Sequence, residues 1–144
     1  MKLKYRKGVF VVIYRKEKEK LYYLLLKRKH HWKGWEFPKG GAEKNESLLE
    51  TAKREAKEET GQRIFNIKKY NSFGRYKYKK KFSDRPGLMG QTYTLFSGQT
   101  KDKKIKFDKK EHLGYKWLEF DKAVNKLTHN NQRKSLKIVN KNLK

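Results

Sequence analysis

Residues 40–61 read GGAEKNESLLETAKREAKEETG. Ser47 followed three positions later by Glu50 is a capping box, in which each side chain bonds the other residue's backbone N–H. Gly61 supplies the left-handed residue that ends a helix. Together they predict a helix over residues 47–60, with Leu48, Leu49, Ala52 and Ala56 as its apolar stripe. On that helix Glu55, Glu58 and Glu59 stand at i, i+3 and i+4, so all three crowd one face. Like charges at this spacing cost about 0.2–0.5 kcal/mol per pair unless a cation lies between them.

Glu43, Glu46, Glu50, Glu55, Glu58 and Glu59 put six of the chain's 15 acids into 17 residues. Lys53 and Lys57 can offset part of that charge, and most charged helix faces are simply solvated and ion-paired. Two features favour a second reading. Arg54, i+4 from Glu50 and beside Glu55, is placed to hold a carboxylate at a fixed angle. Upstream, Phe37-Pro38-Lys39-Gly40-Gly41 is a loop whose glycines let backbone approach a ligand closely. Clustered carboxylates are hard oxygen ligands suited to Mg²⁺, which takes substrate phosphates and waters as its other ligands.

Outward from this stretch, residues 9–14 and 21–26 are apolar runs that read as two buried strands joined by an exposed charged loop. Residues 27–41, with three glycines and two tryptophans, read as a structured loop. Residues 64–70, 73–82, 92–97 and 114–118 are expected as strands, with a turn at 84–87. Two helices follow, over 120–127 and 131–142, the second burying Leu136, Val139 and Leu143. Strands, a helix, strands and then helices imply an α/β fold, a mixed sheet with helices packed on its faces. The 144 residues suffice for one ordinary domain, expected to span 1–144, and the 20 aromatic residues for a real core.

Forty Lys and Arg against 15 Asp and Glu give a net charge of +25, which favours polyanions such as nucleotides, RNA or anionic lipid. Thirty-two of the forty are Lys, a balance that genome composition or growth temperature also produces. No cysteine is present, which excludes disulfides and thiol chemistry. Neither six-residue apolar run can cross a bilayer, and the basic start is followed by too short a run for a signal segment. The expected location is the cytoplasm, with no membrane partner.

Gly40, Glu46, Arg54, Glu55, Ala56, Glu58, Glu59 and Gly61 fall at the fixed positions of G-x5-E-x7-R-E-U-x-E-E-x-G-U, where U is aliphatic. That pattern is the Nudix box, and the chain resembles the Nudix hydrolase family. It departs from the pattern at the last U, where Gln62 stands and where Ile64 is expected to take over the packing. The resemblance implies an α/β/α sandwich with a mixed sheet and a loop–helix–loop catalytic motif. It implies a hydrolase of phosphoanhydride bonds that uses Mg²⁺, with Mn²⁺ as a substitute. Glu55, Glu58 and Glu59 look like the metal-binding carboxylates, Arg54 like the arginine that orients them, and Gly40 like the residue whose carbonyl joins the metal. Glu46 is either a more distant ligand or structural.

The flanks add detail. Trp35-Glu36-Phe37-Pro38-Lys39-Gly40-Gly41 resembles the W-x-x-P-K-G approach of diadenosine tetraphosphate (Ap4A) hydrolases and RNA 5′-pyrophosphohydrolases, and Gly90-Gln91 is also similar to both groups. Glu111-His112-x-x-Tyr115-Lys116-Trp117 resembles their segment in which a loop glutamate reaches the metal, as ligand or base. Lys39, Lys79 and Lys81 suit a polyphosphate as point charges, and His112 is a candidate phosphate contact. Tyr76 and Tyr78 share a strand face with Phe82 that serves either to stack a base or to cover the core. Trp32, Trp35 and Trp117 carry the same two readings, packing first. The leading expectation is asymmetric hydrolysis of Ap4A to ATP and AMP, with Lys39, Arg54, Glu55, Glu58, Glu59 and Glu111 as catalytic residues. The alternative is pyrophosphate removal from triphosphorylated RNA ends. Hydrolysis of oxidised dNTPs or ADP-ribose, and a non-catalytic RNA-binding module, stand behind these. Monomer and homodimer both remain open.

Overall fold

The computed structural model describes residues 4–29, 34–77 and 88–144. Its strands are β1 (Lys4–Glu17), β2 (Lys20–Arg28), β3 (Trp35–Glu36), β4 (Lys39–Gly41), β5 (Phe65–Lys77), β6 (Leu88–Gln99) and β7 (His112–Leu118). The helices are α1 (Leu48–Thr60), α2 (Phe120–Lys126) and α3 (Asn130–Leu143). Among the described residues the strands form one mixed sheet of seven.

β1 is the spine. Along one edge it pairs in parallel with β6, from Lys4 to Tyr14. On the other edge it meets β2 only at Tyr14 to Glu17, and farther back it meets β4 at Gly8 to Phe10. β2, with β7 on its far edge, takes β3 at Leu26 and Lys27. The two hairpin strands therefore diverge like a fork, and the β3–β4 segment fills the gap, with Val11 N–H bonded to the Pro38 carbonyl at 2.9 Å. Residues 27–41, expected as a loop, thus include two short strands, because the open edges of β1 and β2 supply backbone partners there. The charged stretch expected to loop between the first strands shrinks to Lys18 and Glu19. Both have positive φ (51° and 60°), the two-residue turn whose twist suits a hairpin.

Side chains alternate across β1. Val9, Val11 and Ile13 pack with Leu24, Leu26, Phe96 and Ala52 and Ala56 of α1. Phe10, Val12 and Tyr14 pack on the opposite face with Tyr23, Leu25, Leu95 and Ala123, Leu136 and Val139 of the other helices. Helices on both faces of a mixed sheet make the expected α/β/α sandwich. A fully buried aliphatic or aromatic side chain is worth about 1.5–3 kcal/mol, so the run from Val9 to Ile13 anchors both layers.

The strands expected at 64–70 and 73–82 are one continuous strand in its described part, interrupted in register between Lys69 and Phe73. Three residues, Tyr70 to Ser72, stand there against one partner residue of β6, and the ladder resumes at Phe73. The turn at 84–87 lies outside the described residues. α3 runs one residue beyond each end of its expected span; Leu136 and Val139 are buried, and Leu143 packs half-buried against the same cluster. Among the described residues no helix is long and apolar enough to cross a membrane.

Candidate active site

α1 begins as its sequence predicts. Glu50 N–H donates to Ser47 Oγ at 3.1 Å and Ser47 N–H donates to Glu50 Oε1 at 3.3 Å, while Gly61 closes the helix at φ 73°. Leu49 departs from expectation. It is 44% exposed, since it lies one residue, about 100° of helix, off the buried row of Leu48, Ala52 and Ala56. Thr51 is buried in the helix instead, its hydroxyl donating to Glu46 Oε1 at 2.8 Å and to the Ser47 carbonyl at 2.9 Å.

Arg54 organises the acids, through partners other than Glu50, whose carboxylate belongs to the cap. Its Nε and Nη2 clasp the two oxygens of Glu46 at 2.8 and 2.9 Å, a bidentate pair. Nη1 donates to Glu55 Oε1 at 2.9 Å and lies 3.3 Å from Glu58 Oε2, and Nη2 also reaches the Gly41 carbonyl at 2.9 Å. Its guanidinium is the first cause of the low Glu46 pKa, down to about 2. One arginine therefore ties the glycine loop to three carboxylates of the acidic stretch.

Glu55, Glu58 and Glu59 differ in exposure. Glu58 is 56% exposed, Glu55 points inward, and Glu59 is only 9% exposed. Gly40 sits against Glu55 so closely that a Cβ there would stand 2.1 Å from the Glu55 carboxyl carbon, which explains why the residue is glycine. Arg6, missed in the sequence, packs its guanidinium against Gly41 and lends Glu55 a second positive neighbour. Burial nevertheless pushes Glu55 up to about 7, with Arg54 opposing and Glu58 adding to the rise. Burial, then the charges of Glu55, Glu36 and Glu111, push Glu59 well above the usual carboxylate range, with Lys39 offsetting part. Among the described residues Glu59 Oε2, buried, has no hydrogen-bond partner.

Glu36 is the larger omission from the sequence reading. It is 3% exposed, bonded by Arg28 Nη1 at 3.0 Å, with Lys39 Nζ at 3.8 Å and His112 Nε2 at 3.4 Å. Although burial favours its neutral form, His112, Lys39 and Arg28 together hold its carboxyl below the usual range. The signal available in the sequence was a glutamate between two aromatics in a strand, a position that burial forbids to an unpaired charge. His112 is 2% exposed and lies against Glu36, not at a surface where a phosphate could reach it. Glu111 is exposed at the turn before β7, within electrostatic reach of Glu59. Trp35 packs at the rim of one core cluster with Lys116 and Lys126 over its ring, and Trp117 packs with the other, its Nε1 donating to the Lys103 carbonyl at 2.7 Å. Tyr76 enters through its backbone pairing with Gln91. Trp32, Tyr78, Lys79, Lys81 and Phe82 lie outside the described residues.

Gln62, where the pattern asks for an aliphatic residue, uses its amide to hold the carbonyls of Asp102 and Lys104, and Ile64 packs with Ile67, Ile105 and Phe107. Among the described residues no three carboxylate or imidazole groups converge as a ready-made ligand set. The residues nonetheless suit a divalent cation. The donors are hard oxygens, Glu59 Oε2 has no partner, and Glu55, Glu36 and Glu111 all repel its charge.

The NUDIX domain family model matches residues 4–138. An RNA pyrophosphohydrolase of Bartonella bacilliformis is 39% identical over 70 residues, a match covering 45% of this chain and 41% of that relative's length. The C. elegans Ap4A hydrolase in a binary complex superposes with a TM-score of 0.78 at 22% identity, covering 96% of this chain and 97% of the other. The E. coli dihydroneopterin triphosphate pyrophosphohydrolase gives 0.75 at 24% identity, covering 92% and 94%. These structures share the fold, and the box residues stand together on one loop and helix in it. With nearly the whole chain matched by the family model, this protein belongs to the Nudix hydrolase family, whose members act on phosphoanhydride bonds.

Proposed function

We propose that the chain acts, as a single domain, as a divalent-metal-dependent hydrolase of nucleoside polyphosphates, and that its substrate is a dinucleoside polyphosphate of the Ap4A class, cleaved asymmetrically to ATP and AMP. The observation that carries the reading is the buried Glu59 oxygen that has no hydrogen-bond partner among the described residues and feels the charges of Glu55, Glu36 and Glu111, a situation that a cation relieves. Glu55, Glu58, Glu59, Glu111 and the Gly40 carbonyl are the groups that would hold Mg²⁺ or Mn²⁺. Bound there, the ion supplies neutralisation of phosphate charge and a water of lowered pKa.

The remaining work falls to the chain itself. Arg54 fixes Glu55 and Glu58 relative to the Gly40–Gly41 backbone, so these acids are oriented before substrate arrives. Lys39, next to Gly40, presents its ammonium on the glycine loop as a point charge for the polyphosphate. Tyr76, Tyr78, Lys79 and Lys81 are the proposed contacts to the rest of the nucleotide. His112 serves Glu36 instead. The full-length likeness to the Ap4A hydrolase supports the substrate class.

A second reading, removal of pyrophosphate from triphosphorylated RNA, draws on the 39% identical RNA pyrophosphohydrolase segment and on the +25 charge. Initial rates with Mg²⁺ on Ap4A and on 5′-triphosphorylated RNA separate the two. ATP and AMP are expected faster than any release from RNA; the reverse order assigns the second reading, and turnover undiminished by EDTA removes the metal from both.

A further inference from the structure

Glu36 joins four strands. It lies on β3; Arg28 reaches it from β2, His112 from β7 and Lys39 from β4. Arg28 and His112 face each other across the β2–β7 ladder, at the point where its register shifts. The cations share the carboxylate by oxygen: Oε1 takes Arg28 at 3.0 Å and Lys39 at 3.8 Å, and Oε2 takes His112 at 3.4 Å with Arg28 at 3.5 Å. An ionised carboxylate only accepts, so His112 Nε2 carries the proton that it donates.

His112 follows Glu111 directly, and the turn they share has few other anchors. The N–H groups of Glu111 and His112 both donate to the Asp108 carbonyl, at 3.1 and 2.9 Å, which closes the turn on itself. Lys29 N–H donates to the Glu111 carbonyl at 3.0 Å, hooking the turn to the end of β2. Of the side chains from Asp108 to His112, that of His112 is the buried one. Its grip on Glu36 therefore holds the turn against the body of the protein from the buried side, while Lys29 Nζ, donating to the Lys109 carbonyl at 3.4 Å, ties it from the exposed side.

We propose that Glu36 is a positioning residue that sets both sides of the site at once, fixing the Glu111 turn through His112 and holding the Lys39 cation at the glycine loop. This rests on the roles given above to Glu111 and Lys39. Both of its oxygens already face the chain's own donors, so Glu36 acts as a fixed counter-anion and not as a ligand. A ligand oriented by a neighbour loses about 10–100-fold in affinity or activity when that neighbour is removed.

Two variants separate the arms: Glu36→Met removes every acceptor, and His112→Leu removes only the grip on the turn. Backbone amide exchange at Glu111 and His112 is expected to accelerate about tenfold or more in both, with α3 amides unchanged. Mn²⁺ affinity, read by electron paramagnetic resonance on the metal alone, is expected to weaken about tenfold in both. KM for Ap4A is expected to rise in Glu36→Met, where Lys39 loses the Glu36 carboxylate, and to stay near wild type in His112→Leu. Unchanged exchange in the turn overturns the proposal, and so does faster exchange with Mn²⁺ affinity and KM both unaltered. If Glu36→Met fails to fold, His112→Leu carries the exchange and Mn²⁺ tests alone. A wild-type chain that hydrolysed no nucleotide would refute the proposed function, while exchange and Mn²⁺ binding would still decide the role of Glu36.

Discussion

Glu36 and Glu59 are both buried glutamates of one site, and they are opposites. Glu36 has a donor for each oxygen and is held below the usual carboxylate range; Glu59 has an oxygen with no partner and is pushed well above it. The local sequences explain the difference. Glu36 lies at the fork where Arg28, Lys39 and His112 converge from three other strands. Glu59 sits on the inward face of α1, where its charged neighbours are mostly glutamates. The first carboxylate is neutralised by the fold, and the second keeps an oxygen that no described residue pairs.

The largest expected effect tests the Glu36 side. Glu36→Ala removes the buried carboxylate on which Arg28, Lys39 and His112 converge and should cost about 3–5 kcal/mol of stability in denaturant unfolding, whereas Glu59→Ala should cost far less in metal-free protein. Equal losses would erase the contrast. Glu59→Gln should lower turnover by about 10²–10³-fold yet raise the melting temperature in EDTA, because it removes a buried charge that nothing pairs. A variant with full activity would break the metal assignment.

The same contrast can be sharpened with pH. Glu55 titrates near 7 in the folded chain against an ordinary 4.5, and Glu59 moves in the same direction. Between those values the folded state binds more protons than the unfolded one. The contribution of Glu55 to stability without metal is thus complete below about pH 4.5 and is lost as pH rises through 7, on the order of 3 kcal/mol. His129, lowered by burial and Lys39, opposes this in part. Glu46, already ionised above about 2, contributes nothing in this window. Melting curves in EDTA should decline from pH 5 to 8, and the increment added by Mg²⁺ should grow over the same range; a flat increment would sever the link between the raised carboxyls and the ion. The smallest effect is local: Ser47→Ala should cost about 1 kcal/mol through the cap and leave KM unaltered.

The helix of the site was legible residue by residue, since a capping box, a terminal glycine and the 3.6-residue period act between near neighbours in the chain. Leu49 marks the limit of that reading, because an apolar residue one step off the stripe faces solvent whatever its chemistry. The fork was not legible. β3 and β4 are two and three residues long, and they are strands only because β1 and β2 part and leave backbone groups to be bonded. Glu36 was missed for the same reason: Arg28, Lys39 and His112 lie 8, 3 and 76 positions away, and no spacing rule connects them.

From its order of residues alone, this chain determined an acidic, capped helix behind a glycine loop, and with it the family and a divalent cation as the expected partner. Tertiary structure decided which of those acids are buried, which one arginine ties them together, and that a further glutamate stabilises the cations opposite. Helical periodicity and capping are properties of neighbours along the backbone, whereas burial and ion pairing depend on segments that meet only after the sheet has formed.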